Sequence, residues 1–277
     1  MTASTRLYDA EQLRRISELT IAHYDRSAEA YWDGTRDHDV NQNYAALLDA
    51  IEGDPPYSIL DLGCGPGRDL RYFRSLGHDV VGLDGSTEFV AMARAYSECE
   101  VLQQDFLAMK LPESRFDGIF ANASLFHVPS QELPRVLAEL SGTLRSRGVL
   151  FCSNPRGNNK EGFSGDRYSC FLDHDTWRDY VTAAGFSQVR HYYRPPGLPR
   201  HKQWWLATVW RKKGKVHHRS RAKRGPAAPG RILVFGKWFA QASLAIRTPL
   251  TSVANGRSLG RASAPKDRSE RIGLLIA

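Results

Sequence analysis

The stretch Ile59-Leu60-Asp61-Leu62-Gly63-Cys64-Gly65-Pro66-Gly67-Arg68 constrains this chain more than any other. An apolar strand pattern runs into G-x-G-x-G and then directly into a helical pattern. Glycines at such a junction permit a tight turn and let a ligand reach the backbone with no Cβ in the way. The helix N-terminus behind them favours an anionic group. Dinucleotide sites use similar loops but more often read G-x-G-x-x-G; here the third glycine comes one residue early and position 68 is Arg. Acids follow in register. Asp84, beside Gly85, ends a second strand pattern about 20 residues on, where a carboxylate accepts hydrogen bonds from ribose hydroxyls. Asp105 and Phe106 end a third, where an acid and a ring suit an adenine. Any one of these acids alone also reads as a helix N-cap. Asp61 before the glycines, Asp84 and Asp105 together form a three-point cradle.

Short apolar runs alternate with helical patterns across the front of the chain. Strands are expected at 57–62, 79–84, 100–105, 116–121, 148–153, 188–193 and 203–210. Helices are expected at 67–76, 86–97, 131–145 and 173–184, the last stopped by Gly185. Two more precede the first strand, at roughly 9–31 and 41–52, with Asp37-His38-Asp39 as a polar cap before the second. Such alternation predicts an α/β fold with a parallel, doubly wound sheet and helices on both faces. The expected organisation is a helical cap over 1–56, a core over 57–211 and a basic tail over 212–277. The 18-residue stretch 155–172 reads as a substrate loop.

Charge divides the chain as sharply as pattern does. Of 38 Lys and Arg, 16 fall in residues 211–277 against only Asp267 and Glu270, so this part carries +14. The other 22 bases face 28 acids, leaving residues 1–210 at −6. A whole-chain argument for nucleic acid is therefore misplaced; any such contact belongs to the tail. The tail's apolar island, Ile232 to Ile246, reads as a weak helix or a disordered extension. No apolar run approaches the ~20 residues of a membrane span. The opening MTASTRLYDA lacks an apolar signal core, and the four cysteines form no C-x-x-C pair. A cytoplasmic chain without a metal site or a disulfide scaffold is expected.

The series DLGCGPG, VGLD, QDF and FDGIFAN resembles class I S-adenosylmethionine-dependent methyltransferases. That resemblance implies a Rossmann-like methyltransferase sheet and S-adenosylmethionine as cofactor. It implies cofactor contacts at Asp61, Gly63, Cys64, Gly65, Gly67, Asp84, Gly85, Asp105 and Phe106, with Asn122 at the methyl-transfer crevice. A finer resemblance lies in GTRDHDVNQNYAALLDAI, FANASLFHVPSQELPRVL, SNPRG and YYRPPGLPRHKQWWLATVWR. These are similar to the methyltransferase half of bifunctional ovothiol synthases, over roughly residues 20–211. The resemblance implies N-methylation of the imidazole of a mercaptohistidine. The other half of that family is an iron-dependent sulfoxide synthase with a histidine and carboxylate cluster, and no H-x-x-x-H-x-E occurs here. Either a separate sulfoxide synthase is the partner that inserts the sulfur, or this chain is a fragment or a divergent copy.

Methyl transfer to an imidazole needs alignment, a dry crevice and a group that sets the ring tautomer and handles one proton. His127 is the candidate for that role, with Asn122 orienting donor or ring. A structural histidine and a turn-forming asparagine are the plain alternatives. Arg156, Arg167 and Arg194 are candidates to grip a substrate carboxylate, with Asn154 beside them. Tyr24, Tyr31, Asn43, Tyr168 and Tyr192 are candidates for the substrate wall, Tyr193 with them. Ordinary surface charge and core packing compete with each assignment. Three other functions stay open: a methyltransferase for another small metabolite, a nucleic-acid-directed enzyme or binder using the tail, and a cofactor-binding scaffold without catalysis.

Overall fold

The computed structural model describes residues 7–214. The basic tail expected over 212–277, including its apolar island, lies almost wholly outside the described residues. Nine strands and six helices follow in chain order within 7–214: α1 (Ala10–Thr35), α2 (Asn41–Leu48), β1 (Ser58–Leu62), α3 (Arg68–Ser75), β2 (Asp79–Asp84), α4 (Thr87–Ser97), β3 (Glu100–Gln103), β4 (Phe116–Asn122), α5 (Leu133–Thr143), β5 (Leu144–Pro155), β6 (Lys160–Ser164), β7 (Arg167–Phe171), α6 (His174–Ala183), β8 (Phe186–Arg194) and β9 (Trp205–Lys212). Seven strands make one sheet in the order β3-β2-β1-β4-β5-β9-β8. The pairings from β3 through β5 are all parallel, and β9 runs antiparallel to both its neighbours.

Period-two alternation in the strands builds two cores. On one face Leu60, Leu62, Ile119, Ala121, Leu150 and Cys152 meet α5 and α6 through Leu137, Leu140, Trp177 and Val181. On the other Ile59, Phe120, Val149 and Phe151 meet α2, α3 and α4 through Tyr44, Leu47, Leu70, Phe73 and Ala93. Helices therefore cover both faces, as buried parallel strands require. The centre of the second core is aromatic. Phe120 stacks on Phe151 at 4.9 Å between centroids and meets Phe73 edge-on at 5.1 Å.

Three departures from the expected elements have local causes. α2 stops at Leu48 because the chain tightens into i→i+3 bonds at Ala50 and Ile51 before Gly53 turns at φ +92°. β3 stops at Gln103 because Asp105 leaves the ladder and accepts the Leu107 amide at 2.8 Å. The expected substrate loop over 155–172 is instead largely the antiparallel hairpin β6–β7, turned at Gly165-Asp166. Gly165 has φ +60° there, which a tight hairpin turn demands.

Phe120→Ala removes the ring shared by the aromatic core. It should cost about 3–5 kcal/mol of unfolding free energy, the usual range for a buried Phe. Urea denaturation giving under about 1 kcal/mol would show that the core closes over the gap.

Candidate active site

Strand order reverses at β1, whose neighbours β2 and β4 send their connections to opposite faces. A crevice therefore opens beyond the carboxyl ends of β1 and β4, the usual ligand position in such sheets. A cavity of about 710 Å³ occupies it. Gly63, Gly65, Asp84, Gly85, Ser86, Asp105, Phe106 and Leu107 line it from the sheet side, and Ala123, Ser124, His127 and Val128 from the segment after β4. Its remaining wall is α1, through Ile16, Ser17, Thr20, Ile21, Tyr24 and Tyr31, with Phe89 of α4.

The glycine loop hangs from the second strand. The Gly63 and Cys64 amides both donate to the Leu83 carbonyl, at 2.7 and 3.1 Å. Gly65 N–H donates to Asp84 Oδ2 at 2.9 Å, and Ser86 N–H to Asp84 Oδ1 at 2.9 Å. Gly63 has φ +73°, and a Cβ there would stand 2.4 Å from the Ser124 Cβ. Burial pushes the Asp84 carboxyl up to about 6, against the pull of the Ser86, Gly65 and Gly85 amides. Burial and the neighbouring Asp69 also raise Asp61, whose Oδ2 has no hydrogen-bond partner. Ser124 Oγ, at the cavity wall, is likewise buried and unpartnered.

The segment after β4 is strained and tightly held. Ala123 takes φ +61°, a left-handed conformation rare for a residue with a Cβ. A single 3₁₀ turn, Leu125–His127, then presents His127. Its Nδ1 lies 2.7 Å from the Tyr168 carbonyl and its Nε2 2.7 Å from the Tyr24 hydroxyl. A carbonyl oxygen only accepts, so Nδ1 carries the hydrogen. Burial drives the ring's pKa down to about 3, with Arg167 and His23 adding to the effect, so the ring is neutral and Nε2 accepts from Tyr24. Tyr24 also meets Tyr31 and Phe89, at 5.7 and 5.5 Å between centroids, which makes the α1 side of the cavity aromatic.

Several contacts seat α1 over the crevice. Ser86 Oγ donates to Asp25 Oδ1 at 2.6 Å, and the Glu88 amide to the same oxygen at 3.2 Å. Tyr168 N–H donates to Thr20 Oγ1 at 3.1 Å, and Arg26 pairs with Asp166 on the hairpin turn at 2.7 Å. A Cβ on Gly85 would lie 2.8 Å from Ile21 Cδ1, so the helix rests directly on the end of β2.

Of the residues singled out by sequence, Gly63, Gly65, Asp84, Gly85, Asp105, Phe106, Tyr24, Tyr31 and His127 meet around this cavity. Asp61 and Cys64 lie buried outside its lining, and Gly67 begins α3 at φ +93° against Ala93. Asn122 is also outside the lining: its Oδ1 accepts from Asn43 at 2.9 Å, and Asn43 Oδ1 accepts from the Tyr192 hydroxyl at 2.9 Å. Asn154 lines a separate cavity of about 280 Å³ with Cys170 and Trp177. Arg156 reaches the Arg200 carbonyl at 3.0 Å and lies over Tyr193, while Arg194 bonds the Asp39 carbonyl. Tyr168 is fully buried and serves the cavity through its carbonyl. Arg167 is buried outside the lining, and its charge opposes the rise that burial causes in the Tyr24 pKa. Sequence reasoning missed Ile16, Ser17, Thr20 and Ile21, because nothing local says which face of α1 covers a ligand. Ser86 and Phe89 were within reach, since they follow Asp84 into α4.

Residues 59–148 match the family model of a methyltransferase domain. These residues form a class I S-adenosylmethionine-dependent methyltransferase domain. The chain is 26% identical over 204 residues to the ubiquinone biosynthesis O-methyltransferase of Burkholderia thailandensis, covering 69% of this chain and 83% of that protein. It is 31% identical over 147 residues to the malonyl-[acyl-carrier protein] O-methyltransferase of Pectobacterium atrosepticum, covering 53% and 54%. The chain spans about half the length of two of the first three curated relatives it matches. Among solved structures, the 1,6-didemethyltoxoflavin-N1-methyltransferase of Burkholderia thailandensis, with bound 1,6-didemethyltoxoflavin and S-adenosylhomocysteine, superposes at a TM-score of 0.62. It shares 21% identity over 76% of this chain and 93% of that one.

The methyltransferase domain fits S-adenosylmethionine on its own geometry. The Cβ-free approach at Gly63, the half-buried Asp84 carboxylate and the unpartnered Ser124 Oγ leave polar groups and backbone facing the cavity. Gly63 and Gly65 would meet the methionine part, Asp84 the ribose, and Asp105 with Phe106 the adenine. Among the described residues no helix is long and apolar enough to cross a membrane, and no three His, Cys, Asp or Glu side chains converge as metal ligands.

The raised Asp84 fixes the sign of a pH effect. A buried acid with a folded pKa near 6 favours its protonated form. Its contribution to folding is full below the ordinary carboxylate range and is lost as pH rises through 6. Accepting two ribose hydroxyls requires the ionised form, so binding runs the other way. The dissociation constant of S-adenosylhomocysteine should hold steady from pH 7 to 8 and weaken about tenfold by pH 5. Calorimetry showing equal affinity at pH 5 and 7.5 would detach Asp84 from the ribose.

Proposed function

We propose that this methyltransferase acts on a ring nitrogen of a small heteroaromatic acceptor, with the imidazole of a mercaptohistidine as the leading candidate. The observation that carries the reading is one continuous cavity that reaches from Asp84 and Asp105 to the aromatic wall of Tyr24, Tyr31 and Phe89. α1 lies across it, which favours small acceptors over nucleic acid. The structural neighbour is named for N-methylation of a heteroaromatic compound, in keeping with this choice. The mercaptohistidine itself rests on the sequence resemblance over residues 20–211.

Bound S-adenosylmethionine supplies a methyl group on a sulfonium, and transfer to nitrogen forms N–C while the C–S electron pair stays on a neutral sulfur. The chain's own residues supply position and environment. A neutral His127 is compatible with a cationic donor nearby, where a protonated one would repel it. The faces of Tyr24, Tyr31 and Phe89 suit both a cation and a flat ring. Of the three candidate arginines, Arg167 is the one whose charge acts on a residue of the cavity wall, Tyr24, which supports a role near an anionic group of the substrate. With a thiolated substrate, sulfur insertion would precede this step and fall to a separate sulfoxide synthase.

A second reading, methylation of a phenolic or carboxylic oxygen, draws on the O-methyltransferases among the relatives. End-point incubation of the full chain with S-adenosylmethionine separates the two. Mass spectrometry should show one added methyl on 5-thiohistidine and none on histidine. Methylation of catechols or acyl carboxylates, with 5-thiohistidine untouched, would overturn the nitrogen reading.

A further inference from the structure

The two ring nitrogens of His127 are both engaged, and that fixes the direction of a hydrogen-bond chain. The Tyr168 carbonyl accepts from Nδ1–H, which leaves Nε2 as an acceptor for the Tyr24 hydroxyl. Tyr24 therefore spends its only hydrogen on His127. A phenol oxygen has two lone pairs, and the charge of the nearby, buried Arg167 favours negative charge on that oxygen. Tyr24, a residue of the cavity wall, therefore keeps acceptor capacity for a ligand. His127 itself has no nitrogen left for a substrate.

We propose that Tyr24, polarised by His127 and Arg167, is the fixed acceptor that reads an N–H of the methyl acceptor. The inference rests on the ring-nitrogen reading above. An azole with its N–H held by Tyr24 turns its other nitrogen, the one with the lone pair, toward the methyl group. The node thus selects the tautomer and the nitrogen together. It discriminates against rings that lack an N–H, because Tyr24 donates its only hydrogen to His127 Nε2 and can meet the ring only as an acceptor. No proton moves along the chain during transfer: the methylated ring loses its N–H proton to water after release. His127 is a positioning residue, and Tyr24 is the group that touches substrate.

The groups facing this node are few. Arg167 comes from β7, His23 and Tyr31 from α1, and Asp84 from β2. Burial and two of these neighbours, Arg167 and His23, all oppose a charge on His127, so the direction of the chain persists through the neutral range.

Nitrogen-15 NMR of the full chain tests the direction without turnover. His127 should show the Nδ1–H tautomer and no titration from pH 5 to 8. The Nε2–H tautomer, or a titration near 6.5, would overturn the proposal. Binding of imidazole and of 1-methylimidazole to the S-adenosylhomocysteine complex then tests the reading of N–H. Imidazole should bind at least fivefold tighter, and Tyr24→Phe should abolish the difference while keeping S-adenosylhomocysteine affinity within twofold. His127→Gln, whose carbonyl still accepts from Tyr24, should keep the preference, and His127→Leu should lose it. Equal binding of the two probes by the unaltered protein would sink the node. A failure of 5-thiohistidine methylation alone would instead remove the substrate and leave the node to these readouts.

Discussion

The reversal of strand order at β1 governs everything that follows in this molecule. Because β1 lies between β2 and β4, the glycine loop after β1 and the segment after β4 diverge to opposite faces. Three strand ends then surround one crevice: Gly63 to Gly65, Asp84 with Ser86, and Ala123 to His127. None of these groups contacts a ligand by local conformation alone. The loop needs Leu83 O as its anchor, Asp84 needs the amides of Gly65 and Ser86, and His127 needs the Tyr168 carbonyl from the β6–β7 hairpin. The site is thus a product of sheet topology, with chemistry-bearing side chains supplied at its edges.

The cavity carries its charge economically. Asp84 and Asp105 are the only acidic residues in its lining, and the histidine is held neutral by burial. Elsewhere around the crevice, charges are paired: Arg68 binds Asp69 at 2.6 Å, and Asp69 also accepts from the Tyr44 hydroxyl at 2.6 Å. That pairing keeps the second half of the polar network, through Asn122 and Asn43 to Tyr192, on the α2 side of the sheet. The result is an aromatic chamber with few formal charges.

Sequence made the sheet and the cofactor edge legible because both follow short-range rules. The apolar run into Gly63-Cys64-Gly65 and the acids at 84 and 105 need only a strand, a turn and a helix start to be understood. The acceptor edge obeys no such rule. Asn122, Arg156 and Arg194 look poised in the sequence, yet they spend their hydrogen bonds on Asn43, on the Arg200 carbonyl and on the Asp39 carbonyl. Tyr168 matters through its backbone, which no side-chain pattern reveals. The hairpin had a local signal, Gly165-Asp166 between Phe163 and Tyr168, masked by the polar Asn158-Asn159-Lys160 before it. The face that α1 turns to the ligand is set by contacts more than 100 residues away, such as Tyr24 with His127.

The central claim is that α1 is a working wall of the cofactor and acceptor chamber. Hydrogen–deuterium exchange of the full chain, with and without S-adenosylhomocysteine, tests it most directly. The account predicts added protection in α1 around residues 16–31 together with the loops at 63–67 and 84–86, and no change in β8 and β9. Protection of the two loops with α1 exchanging as in the free protein would contradict it, since the ligand would then sit in a crevice that α1 does not close.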